Sequence, residues 1–244
     1  MGFKGLKPLK LISSGKTKNV YSSNDPNLVL IEFRDDVTAL DGRKHDVLKG
    51  KGVINAAITA KLFTFLNASG FKTHYVGMAG DSLMVAHRLN MIPVEVVCRS
   101  IATGSLVKRL PFQEGVSLPI PLVEFYLKDD ARGDPMINKR HMAALGLTTL
   151  KEADLIEDIT LNVNETLKGF LARRGLKLLD FKLEFGRSPN GDLTIGDELD
   201  PDCMRLRDAN SGAIMDKDLY RRGHSLAEVM EAYRECYRRI VEDA

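Results

Sequence analysis

Residues 176–199 constrain this chain more than any other stretch. In Asp180-Phe181-Lys182-Leu183-Glu184-Phe185, charged and apolar side chains alternate. That is the period of a β-strand with one face in a core and the other toward a polar space. Ser188-Pro189-Asn190-Gly191 follows, and Asn-Gly is a strong hairpin signal. A two-residue turn at Asn190-Gly191 sets Glu184 opposite Asp197. Directly opposed residues have Cβ atoms ~4.5–5.5 Å apart, and like charges there repel. Two carboxylates so held need a proton, a cation or a basic neighbour. Lys182 on the same face is one such neighbour. A divalent ion is another, and this oxygen donor set suits Mg²⁺ that also holds phosphates. The alternation equally describes a wet hairpin face carrying a Lys–Glu pair. A loop of three or four residues moves the register by one, and Glu184 then misses Asp197.

The rest of the chain supplies material for a core around such a hairpin. Its 244 residues are 44% hydrophobic and 28% charged, a globular composition of one large or two small domains. A net charge of +2 argues against binding nucleic acid by bulk charge. No apolar run reaches the ~18 residues of a membrane span, and residues 1–10 lack the apolar block of a secretory signal. Cys98, Cys203 and Cys236 are odd in number and far apart, so neither disulfides nor a Cys-x-x-Cys metal site is indicated. The histidines lack zinc-protease spacing. A cytoplasmic protein is expected.

Strands are expected at 27–33, 82–86 and 93–99, and a helix over 53–69 with Gly70 at its stop. Segment 110–136 carries Pro111, Pro119, Pro121 and Pro135 and reads as irregular. Asp154 with Glu157 suggests the start of a second helix, ended by Gly175. Ser225 with Glu228 opens a last one. The apolar stripes of these helices read as core.

Several segments are candidate anion sites. Ser14-Gly15-Lys16-Thr17 resembles the end of a P-loop, but Lys10 stands where the pattern needs glycine, so the P-loop is rejected. Lys16 and Lys18 beside this small-residue turn still suit nucleotide phosphates. Gly50-Lys51-Gly52 lacks the third glycine of a dinucleotide fingerprint. Arg99 at a strand end, then Thr103-Gly104-Ser105, makes an anion cradle: a guanidinium fork and glycine-accessible backbone N–H groups. Arg205, Arg207 and Asp208 raise a similar prospect. Asp216-Lys217-Asp218 with Arg221 and Arg222 reads as a solvated charge cluster.

Taken together these segments resemble the SAICAR synthetase (phosphoribosylaminoimidazole-succinocarboxamide synthase) family. Ile92-Pro93-Val94-Glu95-Val96-Val97-Cys98-Arg99 with Thr103-Gly104-Ser105 is similar to one family signature. Leu179-Asp180-Phe181-Lys182-Leu183-Glu184-Phe185-Gly186 is similar to the other. Gly15-Lys16-Thr17-Lys18, Phe33-Arg34-Asp35-Asp36 through Asp41-Gly42, Lys49-Gly50-Lys51-Gly52 through Asn55, and Gly196-Asp197-Glu198 through Asp202 and Arg205 complete the likeness. Two departures stand out: Asp200 where serine is common, and Arg207 where tryptophan is common.

The resemblance implies an α+β, two-lobed fold. Residues 1–90 would form an antiparallel β lobe similar to the small lobe of protein kinases, and residues 91–244 a larger α/β lobe, with ATP between them. It implies an ATP-dependent ligase of purine biosynthesis that joins carboxyaminoimidazole ribonucleotide to L-aspartate through an acyl phosphate. Carried onto this sequence, Glu184 and Asp197 would hold Mg²⁺. Lys16 and Lys18 would meet ATP phosphates, and Leu89 the adenine by its backbone. Arg99, Ser105 and Arg205 would take the ribonucleotide, chiefly its 5′-phosphate. Lys182, oriented by Asp180, would neutralise the reacting carboxylate. Asp41, Asp202, Lys217 and Arg221 are further substrate-binding candidates. The family's substrates are small molecules, with no nucleic acid and no membrane, and a homodimer is allowed. Two rival readings are a small-molecule kinase with no amine acceptor, and a non-enzymatic nucleotide- or RNA-binding protein, of which the low charge and absence of tryptophan disfavour RNA.

Overall fold

The computed structural model describes residues 3, 5–39 and 44–242. The chain begins with β1 (Pro8–Ser14), β2 (Lys18–Ser23), β3 (Leu28–Phe33), β4 (Asp36–Ala39) and β5 (Lys44–Val47). Helix α1 (Lys51–Ala68) follows, then β6 (Tyr75–Gly80), β7 (Leu83–His87) and the long β8 (Asn90–Ile101). Next come α2 (Ser105–Arg109), β9 (Ser117–Leu127), β10 (Met136–Ile137), α3 (Lys139–Ala144) and α4 (Leu150–Ala172). Then follow β11 (Leu176–Arg187), β12 (Leu193–Gly196), β13 (Met204–Asp208), α5 (Asp218–Arg221) and α6 (Leu226–Tyr237), which runs on into a π-helical turn at Arg238–Glu242. None of the described helices is long and apolar enough to cross a membrane.

Strands β1-β2-β3-β7-β6 form one antiparallel sheet, and β10-β9-β8-β11-β12 a second, with β13 also on β11. Phe181, Leu183 and Phe185 of β11 turn into the main core, where Ile156, Val163, Leu167 and Phe170 of α4 meet Leu62 and Phe63 of α1. The opposite face of β11 carries Asp180, Lys182 and Glu184. Helix α1 serves both sheets: its Ala56 packs on Val29, Ile31 and Phe33 of β3.

The start of α1 explains why two charged, glycine-rich segments lie where they do. Asp35 accepts hydrogen bonds from the backbone N–H of Gly50 (3.0 Å) and Gly52 (2.9 Å), groups with no partner inside the helix. These glycines therefore fold onto a carboxylate of the chain itself. A Cβ on Gly52 would lie 2.5 Å from the Phe33 carbonyl oxygen. Gly52→Ala is accordingly expected to destabilise the protein by about 1–3 kcal/mol, the cost of overpacking against a backbone that cannot step aside. A thermal melt checks this, with an unchanged midpoint as the contrary result.

Three expectations need correction. Segment 110–136 is not wholly irregular, because it contains β9. Pro119 and Pro121 are tolerated where the pairing with β8 jumps from Arg99↔Leu122 to Ile101↔Ser117, away from the two β10 residues that cover Phe125 and Tyr126. Helix α4 starts before Asp154. Thr149 caps it by accepting from the Glu152 N–H (3.1 Å), while Asp154 pairs with Lys139. The hairpin loop is the third case: the Ser188 N–H bonds the Asp192 carbonyl and the Gly191 N–H the Ser188 carbonyl, with Gly191 at φ 84°. This is a three-residue loop with glycine in the left-handed position. Glu184 therefore faces Gly196, not Asp197. Helix α6 forms as expected, with Ser225 and Glu228 in a reciprocal cap.

Candidate active site

A cleft of about 1010 Å³ gathers charged groups from distant parts of the chain. The β1–β2 turn brings Lys16 and Lys18, and β8 brings Glu95 and Arg99. Asp180, Lys182 and Glu184 come from β11, and Asp197, Glu198 and Asp202 from the segment after β12. Ser105, Arg205, Lys217 and Arg221 complete the wall. Two candidates stand apart. Asp41 lies outside the described residues. Leu89 does not line the cleft; it sits between β7 and β8, where its side chain fills the space a Cβ on Gly186 would need.

The lost register does not separate the two carboxylates. Asp197 adopts φ 64°, rare for a residue other than glycine, and this backbone turn delivers its side chain to the cleft after all. Lys182 Nζ lies 3.0 Å from Glu184 and 3.3 Å from Asp197, and 3.1 Å from Glu95. Lys128 grips both Glu184 oxygens (2.7 and 2.8 Å), and Lys18 reaches Asp197 (2.5 Å) and Glu198 (3.0 Å). Burial opposes the charges on Lys18 and Lys182. The attraction of Asp197 and its acidic neighbours outweighs it, holding the Lys18 and Lys182 ammoniums above the usual lysine range. Burial likewise raises the Asp197 carboxyl, but Lys18 and Lys182 pull it well below the ordinary range. His74 donates to the Asp197 carbonyl (3.1 Å), and burial pushes its imidazole down to about 4, so it stays neutral.

A second cluster surrounds Asp180. Arg99 is 3% exposed and donates to Glu124 (2.7 Å), Asp180 (2.8 Å) and the Ser105 hydroxyl (2.9 Å). Arg205 donates to the same Asp180 oxygen (2.7 Å) and to Asp218 (3.0 Å). Asp180 thus fixes two guanidiniums rather than Lys182, which corrects its expected orienting role. Gly104 is required here: its φ is 60°, and a Cβ would come within 2.5 Å of Arg205 Nη2. Arg207, at the tryptophan position, binds Asp216 (2.6 Å) and extends the same network.

A third group centres on Asp202, which accepts from Lys51 (2.7 Å), Asn55 (3.2 Å) and the Tyr233 hydroxyl (2.5 Å). Asp200 is fully buried, and burial followed by repulsion from Glu198 and Asp202 raises its carboxyl well above the normal range. Lys217 and Arg221 line the same cleft. Arg221 pairs with Asp218 (2.7 Å), whereas Lys217 Nζ has no hydrogen-bond or ion-pair partner among the described residues.

Sequence reasoning passed over Lys128, Glu124 and His74, and took Glu95, Glu198, Lys51 and Asn55 only as parts of the segments that carry the resemblance. Lys128 directly follows β9, the proline-bearing strand that read as irregular, so no local pattern marked it. The dense run after Gly196 was the available signal for Glu198.

Paired carboxylates bridged by a lysine adjoin a guanidinium pair, and both adjoin a lysine-bearing turn. Among the described residues no cluster of three or more His, Cys, Asp or Glu groups is placed to hold a metal ion.

A family profile described as SAICAR synthetase matches residues 11–240. A phosphoribosylaminoimidazole-succinocarboxamide synthase of Sulfurisphaera tokodaii is 54% identical over 231 residues, 95% of this chain and 98% of that one. A solved SAICAR synthetase in complex with ADP is 45% identical with a TM-score of 0.90, covering 94% of this chain and 97% of that chain. The enzyme of the same name from Ehrlichia chaffeensis is 33% identical with a TM-score of 0.91, covering 95% and 98%.

Proposed function

The chain belongs to the SAICAR synthetase family, and from that premise we propose how its cleft divides the work of the reaction. The protein is an ATP-dependent ligase that joins the carboxylate of carboxyaminoimidazole ribonucleotide to the amine of L-aspartate, giving the succinocarboxamide, ADP and phosphate in purine biosynthesis.

A carboxylate is a poor acyl donor, so one of its oxygens first attacks the γ-phosphorus and ADP leaves. The resulting acyl phosphate is attacked by the amine of aspartate. The amide bond forms, the amine proton is released, and phosphate departs with the former carboxylate oxygen. The first step asks the protein mainly for positioning and charge neutralisation. Lys182 supplies charge to the reacting carboxylate. Lys16 and Lys18 face the ATP phosphates; Leu89, at the crossing between residues 1–90 and 91–244, the two lobes of this reading, is assigned the adenine by its backbone, while its side chain packs over Gly186 outside the cleft wall. Arg99, Ser105 and Arg205 receive the ribonucleotide phosphate, with Asp180 holding both guanidiniums in place. Asp41, Asp202, Lys217 and Arg221 serve the remaining substrate groups.

Glu184 and Asp197 fit Mg²⁺. Both are oxygen donors, both lie within reach of the single Lys182 ammonium, and two protein carboxylates leave room for phosphate oxygens and water. When bound, the ion neutralises phosphate charge. The compartment is the cytoplasm, where the free thiols of Cys98, Cys203 and Cys236 remain reduced.

The observation that carries this reading is the meeting of the Glu184–Lys182–Asp197 bridge and the Arg99–Asp180–Arg205 bridge on one face of β11. Phosphate release with Mg-ATP and the ribonucleotide, with and without L-aspartate, tests it. Release that depends on aspartate and matches succinocarboxamide formed is expected. A folded protein that transfers phosphate to the ribonucleotide without consuming aspartate would instead be a kinase.

A further inference from the structure

The cations of the cleft differ in one respect. Lys18, Lys182, Arg99 and Arg205 each sit against a carboxylate of the protein. Lys217 does not. It is 9% exposed, its backbone N–H bonds the Pro201 carbonyl (3.3 Å), and its side chain lines the cleft with no carboxylate in ion-pair range among the described residues. Burial lowers its pKa, only partly offset by the attraction of Asp202, and Arg221 and Lys51 push in the same direction as burial. A nearly buried ammonium without a partner is costly to maintain. It becomes favourable when an anion arrives to complete the pair.

The substrates supply the candidates. On the reading above, ATP phosphates belong to Lys16 and Lys18, the ribonucleotide phosphate to Arg99 and Arg205, and the reacting carboxylate to Lys182. The two carboxylates of aspartate remain. A compact ammonium suits a carboxylate oxygen, whereas phosphate is better matched by a guanidinium fork. The cleft wall beside Lys217 also carries Asp202. That carboxylate would repel a phosphate dianion but accommodate an amino acid, which brings its own ammonium.

We propose that Lys217 anchors a carboxylate of L-aspartate, making it a determinant of specificity for the amine substrate. The inference rests on the ligase reading. The test is steady-state kinetics of Lys217→Met and Lys217→Arg, each substrate varied in turn, with the inhibition constant of succinate measured beside them. Succinate keeps both carboxylates and lacks the amine, so it reports carboxylate binding apart from chemistry. In Lys217→Met the KM for aspartate and the inhibition constant of succinate should both rise about 30-fold, the scale of one charged hydrogen bond. The KM values for ATP and ribonucleotide should move less than about threefold, and Lys217→Arg should recover part of the loss. A penalty falling on the ribonucleotide, or equally on all three substrates, would overturn the assignment. Wild-type protein that makes no aspartate-dependent product would overturn the ligase reading itself. Lys217→Met loses no ion pair, so its thermal midpoint should match the wild type, and a large drop would count against an anchor role.

Discussion

Glutamine in place of Glu184 is expected to lower kcat about a thousandfold while the protein stays folded. Glu184 is 4% exposed and its two oxygens are held by Lys128 and Lys182. Glutamine keeps the shape and removes the charge. On the proposed assignment this takes away one of the two carboxylates available to Mg²⁺ and loosens Lys182, which must meet the reacting carboxylate. Losing one preorganised electrostatic group of this kind typically costs 10²–10³ in kcat. The fold should survive. Phe181, Leu183 and Phe185 lie on the opposite face of β11, Lys182 retains Glu95 and Asp197, and half-exposed Lys128 can return to water. The checks are kcat, calorimetric binding of Mg-ATP and a thermal melt. A folded variant with kcat within about threefold of wild type and unchanged Mg-ATP affinity would remove Glu184 from the machinery.

Arg99→Met should strike stability and substrate binding together. Arg99 neutralises Glu124 and Asp180, both buried, and positions Ser105. Removing one partner from a buried ion pair typically costs ~3–5 kcal/mol, because the other charge stays behind without compensation. The loss should fall toward the lower end: Arg205 still reaches Asp180, and Arg109 still reaches Glu124. Among molecules that remain folded, the KM for the ribonucleotide should rise far more than that for ATP. Arg99→Lys should recover some stability and little of the ribonucleotide affinity, since an ammonium cannot reproduce the fork. Denaturant titration and ribonucleotide kinetics check both halves. A stable variant with an unchanged ribonucleotide response would move Arg99 out of the site.

The elements legible in sequence were those set by neighbours along the chain. The alternation of β11, the Ser225–Glu228 cap and the stop at Gly175 depend on residues a few positions apart, and all three are present. Strand β9 was hidden because prolines argue against a strand unless the partner's register is known to break at them. The facing of Glu184 and Asp197 was anticipated from the wrong turn. The three-residue loop moves Asp197 off the ladder, and its left-handed backbone then brings it back toward Lys182. Asp180 sits on the expected face, yet its partners Arg99 and Arg205 come from two other strands, a pairing that no local spacing encodes. Lys128 and Lys51 were obscured for the same reason: each meets its carboxylate only through the tertiary fold.

On the proposed mechanism the cleft activates a carboxylate by phosphorylating it before the amine attacks. The most direct measurement supplies ribonucleotide with a heavy-oxygen label in its carboxylate and follows the label through a complete turnover with ATP and L-aspartate. One labelled oxygen should appear in each phosphate released, with the other retained in the new amide carbonyl. Phosphate that carries no label while succinocarboxamide forms would mean that the carboxylate never bonded to phosphorus, and the acyl phosphate account would be wrong.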